Sequence, residues 1–112
     1  MMQITQVTPK FATSTQLTLD DVAEAKAMGF RAIINNRPDG EEPGQPPSRD
    51  MAAAAHACGL AYSYIPVVPG QITDEAADAF ATALNAADGP VLGFCRSGKR
   101  AAALFERAAQ RG

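Results

Sequence analysis

Val91-Leu92-Gly93-Phe94-Cys95-Arg96-Ser97-Gly98-Lys99-Arg100-Ala101 is the stretch on which the fold turns. Behind the helix-ending pair Gly89-Pro90, residues Val91–Phe94 read as a short buried strand. Past Arg100, the residues Ala101, Leu104, Phe105 and Ala108 recur at helical spacing, which predicts a helix from about Gly98 to Arg111. Between strand and helix lies a tight loop with one glycine and three cations. Amides in such a turn converge into a nest for an anion, and the helix N-terminus aims partial positive charge at the same point. Arg100 adds a planar fork suited to two oxygens. These influences favour thiolate over thiol at Cys95, so a nucleophile forms there without a histidine base. The plainer reading is a buried cysteine that ends a core strand, but Arg96, Lys99 and Arg100 make little packing sense beside one.

Working outward, the rest of the chain alternates. Gln3–Thr8 alternates polar and apolar and reads as a strand, with Phe11–Ser14 pairing back after Pro9-Lys10. Thr18 is placed as an N-cap, followed by Asp20 and Asp21, for a helix stopped near Met28 by Gly29. Ala32–Asn35 is a buried strand, Ser48–Cys58 a helix, Leu60–Val67 a strand, and Thr73 caps a third long helix. Strands alternating with helices predict an α/β domain with a mostly parallel central sheet of four to five strands and helices on both faces. Ligands of such sheets bind outside the carboxyl ends of the strands. Three loops should meet there: Asn36–Pro47, Val68–Ile72 and Cys95–Arg100.

With 112 residues, 46% hydrophobic and 20% charged, the composition fits one globular domain spanning 1–112. No apolar run approaches the ~18 residues that span a bilayer, and no apolar leader opens the chain, so a cytoplasmic setting without membrane partners is expected. One histidine, His56, and two cysteines without a Cys-x-x-Cys pair predict no metal, and no cofactor is implied. Residues 95–112 hold Arg96, Lys99, Arg100, Arg107 and Arg111 against Glu106, or +4, within a net charge of -2. An acidic chain with one basic terminal segment suits a small anionic substrate at one spot better than nucleic acid.

Cys95-Arg-Ser-Gly-Lys-Arg100, the segment Gly29–Glu42 with its Asn35-Asn-Arg-Pro-Asp39 core, and Tyr64-Ile-Pro-Val67 together resemble the bacterial family of the beta-lactamase hydrolase-like protein, phosphatase-like domain. The resemblance covers nearly the whole chain. It implies a tyrosine-phosphatase-like three-layer fold and a separate partner such as a persulfide dioxygenase or another sulfide-oxidising protein. Tyrosine-phosphatase loops hold five residues between cysteine and arginine. Here Arg96, Ser97, Gly98 and Lys99 make four, the rhodanese-like spacing. Phe94 stands where such phosphatases carry histidine, and Ala101 where they carry serine or threonine.

Those departures favour a sulfurtransferase: Cys95 takes sulfane sulfur from thiosulfate or a persulfide and passes it to a thiol acceptor. The alternative is a cysteine-dependent phosphatase acting on a phosphate ester through a phosphocysteine. A third possibility is a module that binds an anion or partner without catalysis. In either enzyme Arg100 clamps the anion, with Arg96, Ser97, Gly98 and Lys99 forming the cradle. Arg37 is a candidate anion ligand from the Asn36–Pro47 loop. Asp39, on the same loop, is the candidate general acid, although Pro-Asp-Gly is also a good turn. Cys58 and His56 fall at the opposite end of the strands. A separation of about 17–20 Å excludes a Cys58–Cys95 bridge.

Overall fold

The computed structural model describes residues 2–111. Strands β1 (Ile4–Thr8) and β2 (Phe11–Ser14) form a hairpin, followed by α1 (Leu19–Ala27), β3 (Ala32–Asn35) and α2 (Ser48–Ala57). The chain continues through β4 (Ala61–Tyr64), α3 (Asp74–Ala86), β5 (Val91–Phe94) and α4 (Lys99–Arg111). The sheet order is β1-β2-β5-β3-β4, antiparallel only at the hairpin. This is the expected mixed α/β, mostly parallel arrangement of five strands.

Strand alternation sorts the core into two layers. Ala12, Ile33 and Leu92 face Val22, Ala25, Met51 and Ala55 of α1 and α2. Their neighbours Phe11, Ile34 and Val91 face Ala77, Phe80, Leu104 and Ala108 of α3 and α4. Gly93 belongs to this packing: a Cβ there would sit 3.0 Å from the Phe11 ring, which stacks on Phe105 at a centroid distance of 4.5 Å.

Helix starts follow local chemistry. Thr18 and Asp21 form the reciprocal capping box of α1, and Thr73 caps α3. The fourth strand is shorter than the expected Leu60–Val67. Pro66 has no amide to donate, so beyond Tyr64 the pairing becomes irregular, with Ile65 and Val67 donating to Asn35 O and Asn36 O.

The register is what positions the site. Ser14, Phe94 and Asn35 are level across the three inner strands, so the residues that follow them, Thr15, Cys95 and Asn36-Arg37, leave the sheet side by side. β5 lies at the centre, which places the Cys95 loop in the middle of the carboxyl edge. Cys58 is half-buried against the α1–α2 layer and His56 is exposed. Among the described residues no helix is long and apolar enough to cross a membrane, and no cluster of potential metal ligands occurs.

Candidate active site

Cys95 is fully buried at the base of the loop it opens. The Gly98 amide donates to its Sγ at 3.1 Å, so the loop curls over the sulfur. That curl requires Gly98 at φ +92°, a left-handed conformation that glycine adopts without a Cβ penalty. It also brings Gly98 against β2, where a Cβ would meet Ser14 O at 3.4 Å. Arg96 O accepts from the Gln16 amide, which ties the other side of the loop to the same strand end. The first turn of α4 then carries Arg100 back toward Cys95.

The Asn36–Pro47 loop faces this cradle. Together with Thr15 and Pro69, both segments line a cleft of about 770 Å³ whose charged residues are Arg37, Glu41, Glu42, Arg96, Lys99 and Arg100. The three expected loops therefore do converge, and they bring Arg37, Arg96, Ser97, Lys99 and Arg100 together.

Arg37 is 2% exposed. Its Nε donates to Glu41 Oε1 at 2.8 Å, Nη1 to Gln16 Oε1 at 3.0 Å and Nη2 to Glu42 Oε1 at 2.8 Å. Burial opposes its charge, but the hydrogen bonds it donates to Glu42 and Glu41 outweigh that, and its pKa is raised. Arg100 forks onto the same carboxylate, Nη1 to Glu41 Oε2 at 2.7 Å and Nη2 to Oε1 at 2.9 Å, while Nη1 also donates to Val67 O. Glu41 is the main cause of its raised pKa, with Cys95 a lesser one. Glu41 thus bridges two arginines. The hydrogen bond from Arg100 is the largest influence holding its carboxyl at about 2, burial opposes it, and Arg37 adds to it.

Asp39 does not line the cleft. Its amide donates to the Tyr64 hydroxyl at 2.9 Å, and its Oδ1 accepts from the Ser48 amide at 2.8 Å. It thereby caps α2, whose own N-cap residue, Pro47, offers no side-chain acceptor. The Pro-Asp-Gly turn and this cap account for the residue, and the carboxylates in the cleft are Glu41 and Glu42, of which Glu41 is the one on Arg100. Sequence reasoning passed over Glu41 because nothing local distinguishes it from Glu42. The available signal was its spacing of four from Arg37.

Asp39→Asn, which keeps a cap acceptor, should preserve thermal stability, whereas Asp39→Ala should cost about 1 kcal/mol. Thermal melts of the two variants check this. A general acid would instead lose its function in both.

A family described as beta-lactamase hydrolase-like protein, phosphatase-like domain, matches residues 3–110. A beta-lactamase hydrolase-like protein of Xylella fastidiosa is 41% identical over 104 residues, covering 93% of this chain and 24% of that protein. The chain therefore spans about a quarter of that relative's length. Among solved structures, a candidate phosphatase from Neisseria meningitidis superposes with a TM-score of 0.82 at 31% identity, covering 94% of this chain and 76% of the other. A variant of TpbA from P. aeruginosa, solved in complex with pTyr, shares the fold with a TM-score of 0.66 at 16% identity, covering 90% and 58%. The phosphatase-like family and the 31%-identical structure favour the phosphatase alternative over the sulfur transfer expected from the four-residue spacing.

Proposed function

The chain belongs to the family of the beta-lactamase hydrolase-like protein, phosphatase-like domain, and from that premise we propose that it hydrolyses phosphate monoesters through a phosphocysteine at Cys95. The observation that carries this reading is the Arg100 fork already closed on a carboxylate, with Cys95 near enough to add to the raised pKa of Arg100. Two donors set to grip two oxygens of an anion, next to a buried sulfur hydrogen-bonded by a loop amide, make a cradle for a phosphoryl group. The pTyr bound by the P. aeruginosa relative's variant is a ligand of that class.

In the first step the Cys95 thiolate attacks phosphorus. An S–P bond forms and the ester P–O bond breaks, and the leaving oxygen takes the bonding pair and then a proton from a carboxyl of the facing loop. The loop amides, Arg100 and the N-terminus of α4 balance the charge on the three remaining phosphoryl oxygens. In the second step water attacks the phosphocysteine, gives its proton to that carboxylate, and the P–S bond breaks to restore the thiolate. Ala101 offers no hydroxyl to assist this departure, so the second step is the slow one and the phosphocysteine accumulates.

A second reading is kept by the four-residue spacing between Cys95 and Arg100: the cradle takes a thiosulfate, the Cys95 thiolate attacks its outer sulfur as the S–S bond breaks and sulfite leaves, and the persulfide passes that sulfur to a thiol. Intact-protein mass spectrometry separates the two. Incubation with an aryl phosphate should add one phosphoryl group, absent in Cys95→Ser. A single sulfur atom gained from thiosulfate, with no phosphoryl adduct and no phosphate release, would overturn the phosphatase reading.

A further inference from the structure

We propose that Glu41 is both the occupant of the substrate's anion site in the free protein and the proton donor of the reaction, and that the incoming phosphoryl group converts it from one to the other by taking Arg100. This deepens the phosphatase reading and rests on it.

The geometry carries the exchange. Arg100 is the cradle's forked cation, and both of its terminal nitrogens are spent on Glu41. A phosphoryl group on Cys95 needs those donors, so it competes with the Glu41 carboxylate for them. Glu41 is not lost from the site when it is displaced, because Arg37 still holds its Oε1, and Arg37 is anchored independently on Gln16 and Glu42. The carboxyl therefore stays at the cleft wall, one exchange away from the leaving oxygen.

Charge decides the rest. The groups facing Glu41 are Arg100 and, at the mouth, Lys99 on α4, Arg37 and Glu42 on its own loop, and Arg96 with Cys95 on the cradle. With Arg100 engaged, the carboxyl is held at about 2, so it is ionised and has no proton to give. Transfer of Arg100 to a dianion removes the largest stabilising contact of the carboxylate and adds negative charge beside it. Both changes push its proton affinity up. The complex then binds more protons than the free protein, so anion affinity must rise as pH falls. Glu41 gains its proton only when a substrate is present to use it. It gives that proton to the leaving oxygen as the P–O bond breaks and recovers one from the attacking water.

The test uses sulfate, a tetrahedral dianion that takes up no proton itself in weak acid. Calorimetric titration of the wild type at about pH 4–6, repeated in buffers of different ionisation enthalpy, measures proton uptake directly. We expect a substantial fraction of a proton per sulfate. In Glu41→Gln the uptake should vanish, and sulfate should bind about tenfold more tightly because its competitor is neutral. Kinetics add an independent arm. Glu41→Gln should lose about 10²–10⁴-fold in kcat/KM on phenyl phosphate, whose leaving oxygen needs a proton, and far less on 2,4-dinitrophenyl phosphate.

Sulfate binding without proton uptake in the wild type overturns the exchange, as does uptake that persists in Glu41→Gln. Equal rates for the variant and the wild type on phenyl phosphate overturn the donor role while leaving a Cys95-dependent phosphatase standing. Failure of the wild type to turn over any ester is the failure of the phosphatase reading itself, and the sulfate titration still decides the exchange.

Discussion

Cys95→Ser should abolish turnover of phosphate esters, by on the order of 10³-fold or more, while the protein melts within a few degrees of the wild type. The size of the loss follows from what the site lacks. A thiolate attacks without help, but a serine hydroxyl needs a base to remove its proton. Among the described residues the one histidine, His56, lies exposed on α2, away from the cleft lining, and the carboxylate at the wall is held by two arginines. Cys95 is fully buried, and the Gly98 amide donates to its Sγ. A serine oxygen accepts that hydrogen bond too, so the curl of the loop survives. The cradle's anion donors, Arg100 and the loop amides, are untouched, and sulfate should therefore still bind. Steady-state rates, thermal melts and a sulfate titration on one preparation check all three statements. A serine variant that keeps a tenth of the wild-type rate would show that Cys95 is not the nucleophile.

The cradle was legible in the sequence because every part of it is encoded within eleven consecutive residues, Val91–Ala101. A buried strand, a glycine turn and a helix with a strong apolar face can be assembled in one way only, and β5 with α4 follows that reading closely. Convergence with the Asn36–Pro47 loop was legible too, since parallel strands all deliver their carboxyl ends to one edge. What lies across the cleft depends on side-chain partners distant in sequence, and these were not legible. Asp39 and Glu41 are two residues apart in a loop rich in proline and glycine. Their fates separate because Asp39 is drawn to Ser48 and Tyr64, while Glu41 is drawn to Arg100, 59 positions away. The reading of Arg37 as an anion ligand met the same limit. Three of its nitrogens are already committed to protein acceptors, so it positions the carboxylates of the loop instead of offering a free fork to substrate.

Arg37→Leu should therefore damage stability first and catalysis through it. Arg37 is 2% exposed, and its guanidinium is the hub that joins Gln16, which follows β2, to Glu41 and Glu42 of the facing loop. Leucine fills much of its volume but takes the donor from Gln16 Oε1 and Glu42 Oε1 and leaves Glu41 Oε1 with Arg100 alone. Removing one partner of a fully buried ion pair costs about 3–5 kcal/mol. Here Glu42 is half-exposed and Glu41 keeps Arg100, so water and the remaining arginine recover part of the loss, and about 2 kcal/mol is expected. In a chain of this size that lowers the melting temperature by roughly 8–16 °C. Arg37→Lys separates charge from shape. It keeps the cation but has no planar fork to span three acceptors, and should recover only part of the stability. The kinetic consequence follows from Glu41. Without Arg37 its carboxyl has no anchor once substrate takes Arg100, so kcat/KM on phenyl phosphate should fall, and the loss of a cation that lowers the carboxyl's pKa should move the basic limb of the pH profile toward higher pH. The chemistry of the leaving group distinguishes this from general damage: on 2,4-dinitrophenyl phosphate, which needs no proton, Arg37→Leu should keep nearly the wild-type kcat/KM at a temperature where both are folded. Equal losses on the two esters would mean that Arg37 acts on the phosphoryl group itself.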